Sequence, residues 1–286
     1  MEFFPNGIHV RLRNRATRAY LHADDDDGVR VSLRRRRASL NTAWAVHRVV
    51  RNGITYVLLH SAAYGRYLAL SPAPAPRGHR GHRVVQRCYD EQELNAVMWM
   101  GVRAPGGVGD DVFLRHVSNR HLRANGRFRI WHTGATVDHF ISIWSNMKHW
   151  MVEAIPPRPA PPVLPVPGPT QNLGGRHGLF RRRAEAVVDR SRIIRCFGAN
   201  DLGNSDQLGT FLFYGRSVFN LRNEVALRVD QEIFSDITVC VRAGVYGRLT
   251  PLVIDLPRNE ETMDIVVLIT GSPAAEALRH PDVDAR

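Results

Sequence analysis

Val10-Arg11-Leu12-Arg13, followed by Tyr20-Leu21-His22-Ala23, is the stretch that decides the fold, because the chain states it three times. The second statement is Tyr56-Val57-Leu58-Leu59-His60 and then Tyr64-Gly65-Arg66-Tyr67-Leu68-Ala69. The third is Val112-Phe113-Leu114-Arg115-His116 and then His121-Leu122-Arg123-Ala124. Each closes on a tryptophan, Trp44, Trp99 and Trp150, at spacings of 55 and 51 residues. The leucine of the second motif, Leu21, Leu68 and Leu122, recurs after 47 and 54 residues. Self-similarity at this period marks a structural unit whose apolar face is buried by its own copies.

Inside one unit the pattern is that of short strands. Ile8, Val10 and Leu12 alternate with His9, Arg11 and Arg13, the period of two that belongs to a half-buried strand. Val29, Val31 and Leu33 alternate again behind the Asp24–Gly28 turn, and Trp44, Val46 and Val49 carry a closing strand. Four strands per unit and three units predict a β-trefoil over residues 1–155, a closed barrel without sheet edges. Its expected core is Leu12, Tyr20, Leu21, Trp44, Leu58, Tyr67, Leu68, Trp99, Leu114, Leu122 and Trp150. His121 stands where the earlier copies carry tyrosine and is read as a substitution within that core.

Residues 156–189 read as a Pro/Arg-rich linker, extended and semi-rigid from Pro156 to Pro169. Pro161-Pro162-Val163-Leu164-Pro165 also has the spacing of a PxxP ligand, although a spacer accounts for it. Pro72–Arg83 looks like a second flexible insertion. Over residues 190–271 the pattern changes to strands at Arg192–Phe197 and Thr210–Tyr214, then a helix at Ser217–Val229 with Ser217 as its N-cap. Further strands follow at Ile237–Val241, Leu249–Leu256 and Met263–Ile269. The order ββαβββ is that of a small α+β ubiquitin-like β-grasp domain, and residues 272–286 are expected to be a flexible tail.

The net charge of +12 is concentrated in the first part. Residues 1–155 hold 23 basic and 12 acidic side chains, the remainder 16 and 15. Such asymmetry points to an acidic partner for the first domain. The exposed-looking candidates are Arg34, Arg35, Arg36 and Arg37, with Arg77, Arg80 and Arg83 on the second insertion. Arg181–Arg183 has the composition of an import signal or phosphate contact. No aromatic residues interleave with these runs, so base stacking and specific nucleic-acid recognition are not indicated.

Catalytic signatures are missing: the chain contains no GxSxG elbow, P-loop, HExxH or strand–GxGxxG–helix motif. Cys88, Cys196 and Cys240 have neither CxxC nor zinc spacing, so no metal or cofactor is expected. Asp24–Gly28 lacks the spacing of a calcium loop and reads as a solvated turn. The longest apolar stretches are far too short to span a bilayer, and Met1-Glu2-Phe3-Phe4-Pro5, with an acid where a signal peptide would carry basic charge, is not expected to be one. The expected location is the cytoplasm, with the nucleus as an alternative.

The threefold Val-x-Leu, Tyr-Leu and Trp-x-Val pattern resembles the fascin-like, actin-cross-linking-type β-trefoils. The whole chain more closely resembles a plant family known only as a domain of unknown function. The matching residues are Met1-Glu2-Phe3-Phe4, Val10–Arg13, Tyr20-Leu21, Tyr64–Leu68, Val84-Val85-Gln86 and Trp150–Glu153. In the second domain they are Gly215-Arg216-Ser217, Cys240–Gly244, Tyr246–Leu252 and Asp255-Leu256-Pro257. The Asp24–Asp27 run and the arginines at 77–83 depart from that pattern. The resemblance implies a fascin-like trefoil followed by a ubiquitin-like domain, and it carries over no catalytic or binding residue. The sequence thus predicts a non-enzymatic interaction module for an acidic macromolecule, F-actin first. The alternatives are a trefoil lectin and an enzyme built on Cys240 or a histidine cluster.

Overall fold

The computed structural model describes residues 2–91, 94–104, 109–125, 133–139, 146–167, 191–199, 205–229 and 237–285. The basic run Arg181–Arg183 lies outside them. Strands β1 (His9–Asn14), β2 (Tyr20–Ala23), β3 (Val31–Arg34) and β4 (Trp44–Arg51) form the first repeat. The second is β5 (Ile54–Ser61), β6 (Tyr67–Pro74), β7 (His82–Arg87) and β8 (Trp99–Arg103). The third is β9 (Val112–His116), β10 (His121–Ala124), β11 (Ala135–Asp138) and β12 (Trp150–Ile155). The first and last strands of each repeat pair antiparallel in a ring, β1-β4-β5-β8-β9-β12 and back to β1, which closes a six-stranded barrel. The middle strands form three hairpins that cap it: β2–β3, β6–β7 and β10–β11.

The threefold symmetry is written in one hydrogen bond. Trp44, Trp99 and Trp150 are fully buried, and each indole Nε1–H donates to the carbonyl of the repeated leucine of its own unit. The acceptors are Leu21 at 3.1 Å, Leu68 at 2.9 Å and Leu122 at 3.1 Å. A buried indole needs an acceptor, and here the barrel wall is fastened to the cap by supplying one.

Two core expectations are corrected. Leu59, not Leu58, matches Leu12 and Leu114 in the central cluster. With a side-chain period of two, Val57 and Leu59 point inward and Leu58 points the other way, into a lateral cluster with Tyr67 and Tyr89. Tyr20, Tyr67 and His121 are likewise buried but lie outside the central cluster. The predicted insertion at Pro72–Arg83 is instead the far end of the β6–β7 hairpin, with Pro74 opposite His82.

The second sheet contains β13 (Ser191–Ala199), β14 (Ser205–Tyr214), β15 (Ile237–Arg242), β16 (Leu249–Pro251) and β17 (Met263–Ile269). Its order is β14-β13-β17-β15-β16, with β13 and β17 parallel, and helix α1 (Val218–Val229) covers one face. The Ser217 side chain accepts from the Asn220 N–H at 3.2 Å, as an N-cap should. Val218, Leu221, Val225 and Ala226 face the sheet, whereas Leu227 is exposed. The strand expected over Leu249–Leu256 ends at Pro251, where the ladder loses its N–H donor.

The tail does not behave as predicted, and of the linker only residues 156–167 are described, the rest of the predicted segment lying outside them. Leu164 packs against the second core. The tail forms a short helix α2 (Pro273–Glu276) and then bridges back, with Pro157 opposite Pro281. Arg158 N–H donates to His280 O at 2.7 Å, and Asp282 N–H donates to Pro156 O at 2.8 Å. Pro156 offers a carbonyl acceptor and Arg158 an N–H donor, and the tail satisfies both.

The two domains dock. Tyr89 N–H donates to Ala243 O at 2.8 Å, and Tyr246 N–H donates to Tyr89 O at 2.9 Å, a reciprocal backbone clasp. Gly244 makes the approach possible: its φ is +95°, and a Cβ there would lie 2.5 Å from the Tyr89 backbone. Asp24–Gly28 is no merely solvated turn. Asp25 O accepts from Arg258 N–H at 2.7 Å, Asp27 O accepts from Asn259 Nδ2 at 2.8 Å, and the Asp25 carboxylate faces Arg216 at 3.3 Å. Arg66 pairs with Glu261 along the same seam.

Candidate functional site

The turn between β1 and β2 and the turn after β3 approach each other on the trefoil surface. Together they make a cleft of about 360 Å³ lined by Arg13, Arg18, Tyr20, Arg35 and Arg37. Strand alternation places Arg13 on the side of β1 that faces away from the core, opposite Tyr20 on the neighbouring strand. Arg18 sits in the left-handed region at φ 56°, which turns its side chain out of the hairpin.

Glu153 on β12 partly neutralises this cleft. It stands 3.9 Å from Arg13 and 3.5 Å from Arg37 and accepts from the Tyr20 hydroxyl at 3.3 Å. Burial and then the Glu153 carboxylate raise the Tyr20 hydroxyl above its ordinary pKa. Arg18 and Arg35 make no ion pair among the described residues, and the Arg13 Nε–H is buried without an acceptor. Four guanidiniums against one carboxylate leave a site of positive potential with an unsatisfied donor, suited to a carboxylate, sulfate or phosphate.

The four predicted arginines of the first run are therefore divided. Arg35 and Arg37 line the cleft. Arg34 faces Asp24 at 3.9 Å, and Arg36 folds back onto the Ala38 carbonyl at 3.3 Å. Arg37 also donates to Ala285 O, which ties the cleft to the tail. The second run does not join them: Arg77, Arg80 and Arg83 lie on the β6–β7 hairpin, where Arg83 braces the Pro74 carbonyl at 3.2 Å. The sequence reading missed Arg13 and Arg18. Their signal was the charged alternation of β1 and the Arg18 turn, which become a site only once the third-strand turn folds over them.

The groups considered for chemistry are placed unfavourably. Cys240 is fully buried, and burial pushes its thiol up to about 12; Cys196 is held near 11 for the same reason. His9 and His60 both line a cavity at the domain junction. Burial holds His9 down at about 4, with His280 adding to it, and drives His60 well below its usual range. Among the described residues, no group of histidine, cysteine and carboxylate side chains could hold a metal ion. No helix of the described residues is long and apolar enough to cross a membrane.

Residues 1–153 match the β-trefoil domain of unknown function DUF569, and residues 190–268 match the DUF569-associated ubiquitin-like domain. The chain belongs to the DUF569 family. Both halves of the DUF569 architecture are thus present in the order the strands predict. No curated protein matches the chain. Among solved structures, its trefoil part is similar to a Caenorhabditis elegans protein of unknown function at 16% identity. That match covers 53% of this chain and 96% of the other, with a TM-score of 0.43. The SDF2-like protein of Arabidopsis thaliana matches at 16% identity over 51% of this chain and 92% of that one, with a TM-score of 0.43. A Macrolepiota procera ricin B-like lectin in complex with lactose matches at 16% identity over 52% and 96%, with a TM-score of 0.41.

Proposed function

We propose that this DUF569 protein is a non-catalytic binding module whose trefoil captures an acidic macromolecule through the cleft of Arg13, Arg18, Arg35 and Arg37. The observation that carries the reading is the pair of guanidiniums, Arg18 and Arg35, without an ion pair among the described residues, beside the unsatisfied Arg13 Nε–H. F-actin is the first partner to test, since it is acidic and the repeat pattern resembles fascin-like trefoils. A lectin role is less well supported: every trefoil aromatic among the described residues is buried or half-buried, so none offers the open ring face on which a sugar would stack.

The test is co-sedimentation of the full chain with F-actin at about 50 and 300 mM salt, with heparin as a polyanion control. Saturable binding that persists at the higher salt, and that falls at least tenfold in R18E/R35E, is the expected result. Binding matched by heparin and abolished by salt would reduce the cleft to a non-specific cation patch. Absence of binding at low salt would remove actin, and a glycan array would then test the alternative.

A further inference from the structure

A cavity lies where the trefoil meets the second domain, and it shares no lining residue with the arginine cleft. It encloses about 630 Å³, within the range of small-molecule sites. Ile8, Val46 and Ile155 of the barrel form one wall, and Leu249 of β16 with Leu278 beyond α2 form the other. Its polar groups are few and distinctive. His60 is 5% exposed and is held by the Thr250 hydroxyl through Nδ1 at 3.2 Å. His9 is 8% exposed. Half-buried Arg248 reaches the cavity from the second domain and exposed Arg279 reaches its rim from the tail, and neither guanidinium has a hydrogen bond or ion pair among the described residues.

A closed seam between domains would be filled by side chains, and a half-buried cation such as Arg248 would be paired. Here an apolar chamber is left open, with the half-buried Arg248 guanidinium unpartnered among the described residues and the Arg279 guanidinium at the rim beside it. We propose that this chamber is a binding site for a small amphipathic anion, an apolar body carrying one carboxylate-type head that Arg248 and Arg279 receive. The neutral imidazoles of His9 and His60 supply hydrogen-bonding edges without adding charge. Because both domains contribute walls, an occupant also fastens them together. This reading is independent of the arginine cleft and stands or falls separately.

The experiment is calorimetric titration of the full chain with decanoate and naphthalene-1-acetate, with decanol as the uncharged control, alongside thermal unfolding. Decanoate tests an aliphatic body and naphthalene-1-acetate an aromatic one. At least one acid is expected to bind saturably and to raise the unfolding temperature, because a ligand of the native state alone stabilises it by mass action. R248Q/R279Q is expected to weaken the acid at least tenfold while leaving decanol binding within twofold. Ala277→Trp, at an exposed position on the rim, fills space without touching either core and is expected to weaken both classes. If neither acid binds, if R248Q/R279Q retains wild-type affinity, or if Ala277→Trp binds as the wild type does, the proposal is overturned.

Discussion

The Tyr67 hydroxyl accepts a hydrogen bond from the backbone N–H of Arg248 at 3.0 Å, across 181 residues of sequence. The same hydroxyl meets His47 Nδ1 at 3.2 Å, and the ring packs against Tyr89 at 5.3 Å between centroids. A tyrosine from the trefoil repeat pattern thus serves the domain seam. Its counterpart Tyr20 is spent on Glu153 at the arginine cleft, and His121 packs edge-on against Phe113 at 5.5 Å. Three equivalent positions have been put to three local uses, all outside the central core.

Removing the Tyr67 hydroxyl tests the seam gently. Tyr67→Phe leaves the Arg248 N–H without that acceptor and is expected to cost about 1 kcal/mol. Gly244→Ala should cost more, roughly 2 kcal/mol or above, because it combines a disfavoured φ with a Cβ against the Tyr89 backbone. Urea unfolding gives the magnitudes. Limited proteolysis should show the second domain released first in Gly244→Ala, and unchanged proteolysis would contradict a docked seam.

Acid should loosen the same region. Burial lowers His9 and His47 to about 4 from an ordinary value of 6.5, and His60 further still. These rings are neutral when folded and charge freely when unfolded, so between pH 6.5 and 4 the unfolded chain holds more protons. Stability is therefore retained above pH 6.5 and lost as pH falls through that window, by roughly 1.4 kcal/mol per pH unit for each group. Hydrogen exchange at pH 7 and 5 should show the loss of protection first along His9, His60 and the tail near His280. A profile that stays flat down to pH 5 would show that these rings are not desolvated.

The architecture was legible in the sequence because repetition states it. The spacing of Trp44, Trp99 and Trp150 survives any error in a single strand, and the change of pattern after Arg192 marks the second sheet. Register was harder: Leu58-Leu59 offers two adjacent leucines, and only the barrel chooses between them. The docking turn at Asp24–Gly28 and the tail were misread because their partners, Arg258, Asn259 and Arg158, are remote in sequence or lie in a segment that composition labels as spacer. The arginine cleft was half legible, since charge pointed to Arg35 and Arg37 but not to the opposing turn that supplies Arg18.

The three indole bonds should be of similar worth. Trp44→Phe, Trp99→Phe and Trp150→Phe each remove a donor from a buried leucine carbonyl and leave a partial void, for an expected loss of about 2–4 kcal/mol apiece. Chemical denaturation of the three variants should agree within about 1 kcal/mol. One silent substitution among them would mean that its repeat does not share the common fastening.

Lys148 is the chain's one lysine, and it is nearly fully buried in an ion pair with Asp138, itself 3.8 Å from Arg123. Burial pulls the Lys148 ammonium below its ordinary pKa, and the Asp138 carboxylate opposes that pull. Removing one partner strands a charge, whereas removing both does not. Asp138→Asn is therefore expected to cost about 3–5 kcal/mol, because it abandons a buried ammonium. Lys148→Met should cost less, since Arg123 remains beside the carboxylate. The double change Lys148→Met/Asp138→Leu should recover at least half of the Asp138→Asn loss. The decisive measurement is a double-mutant cycle by urea denaturation, closed with Lys148→Met and Asp138→Leu as the single variants. Additive losses at the two positions would show that the pair is not coupled and that the trefoil tolerates the lysine for some other reason.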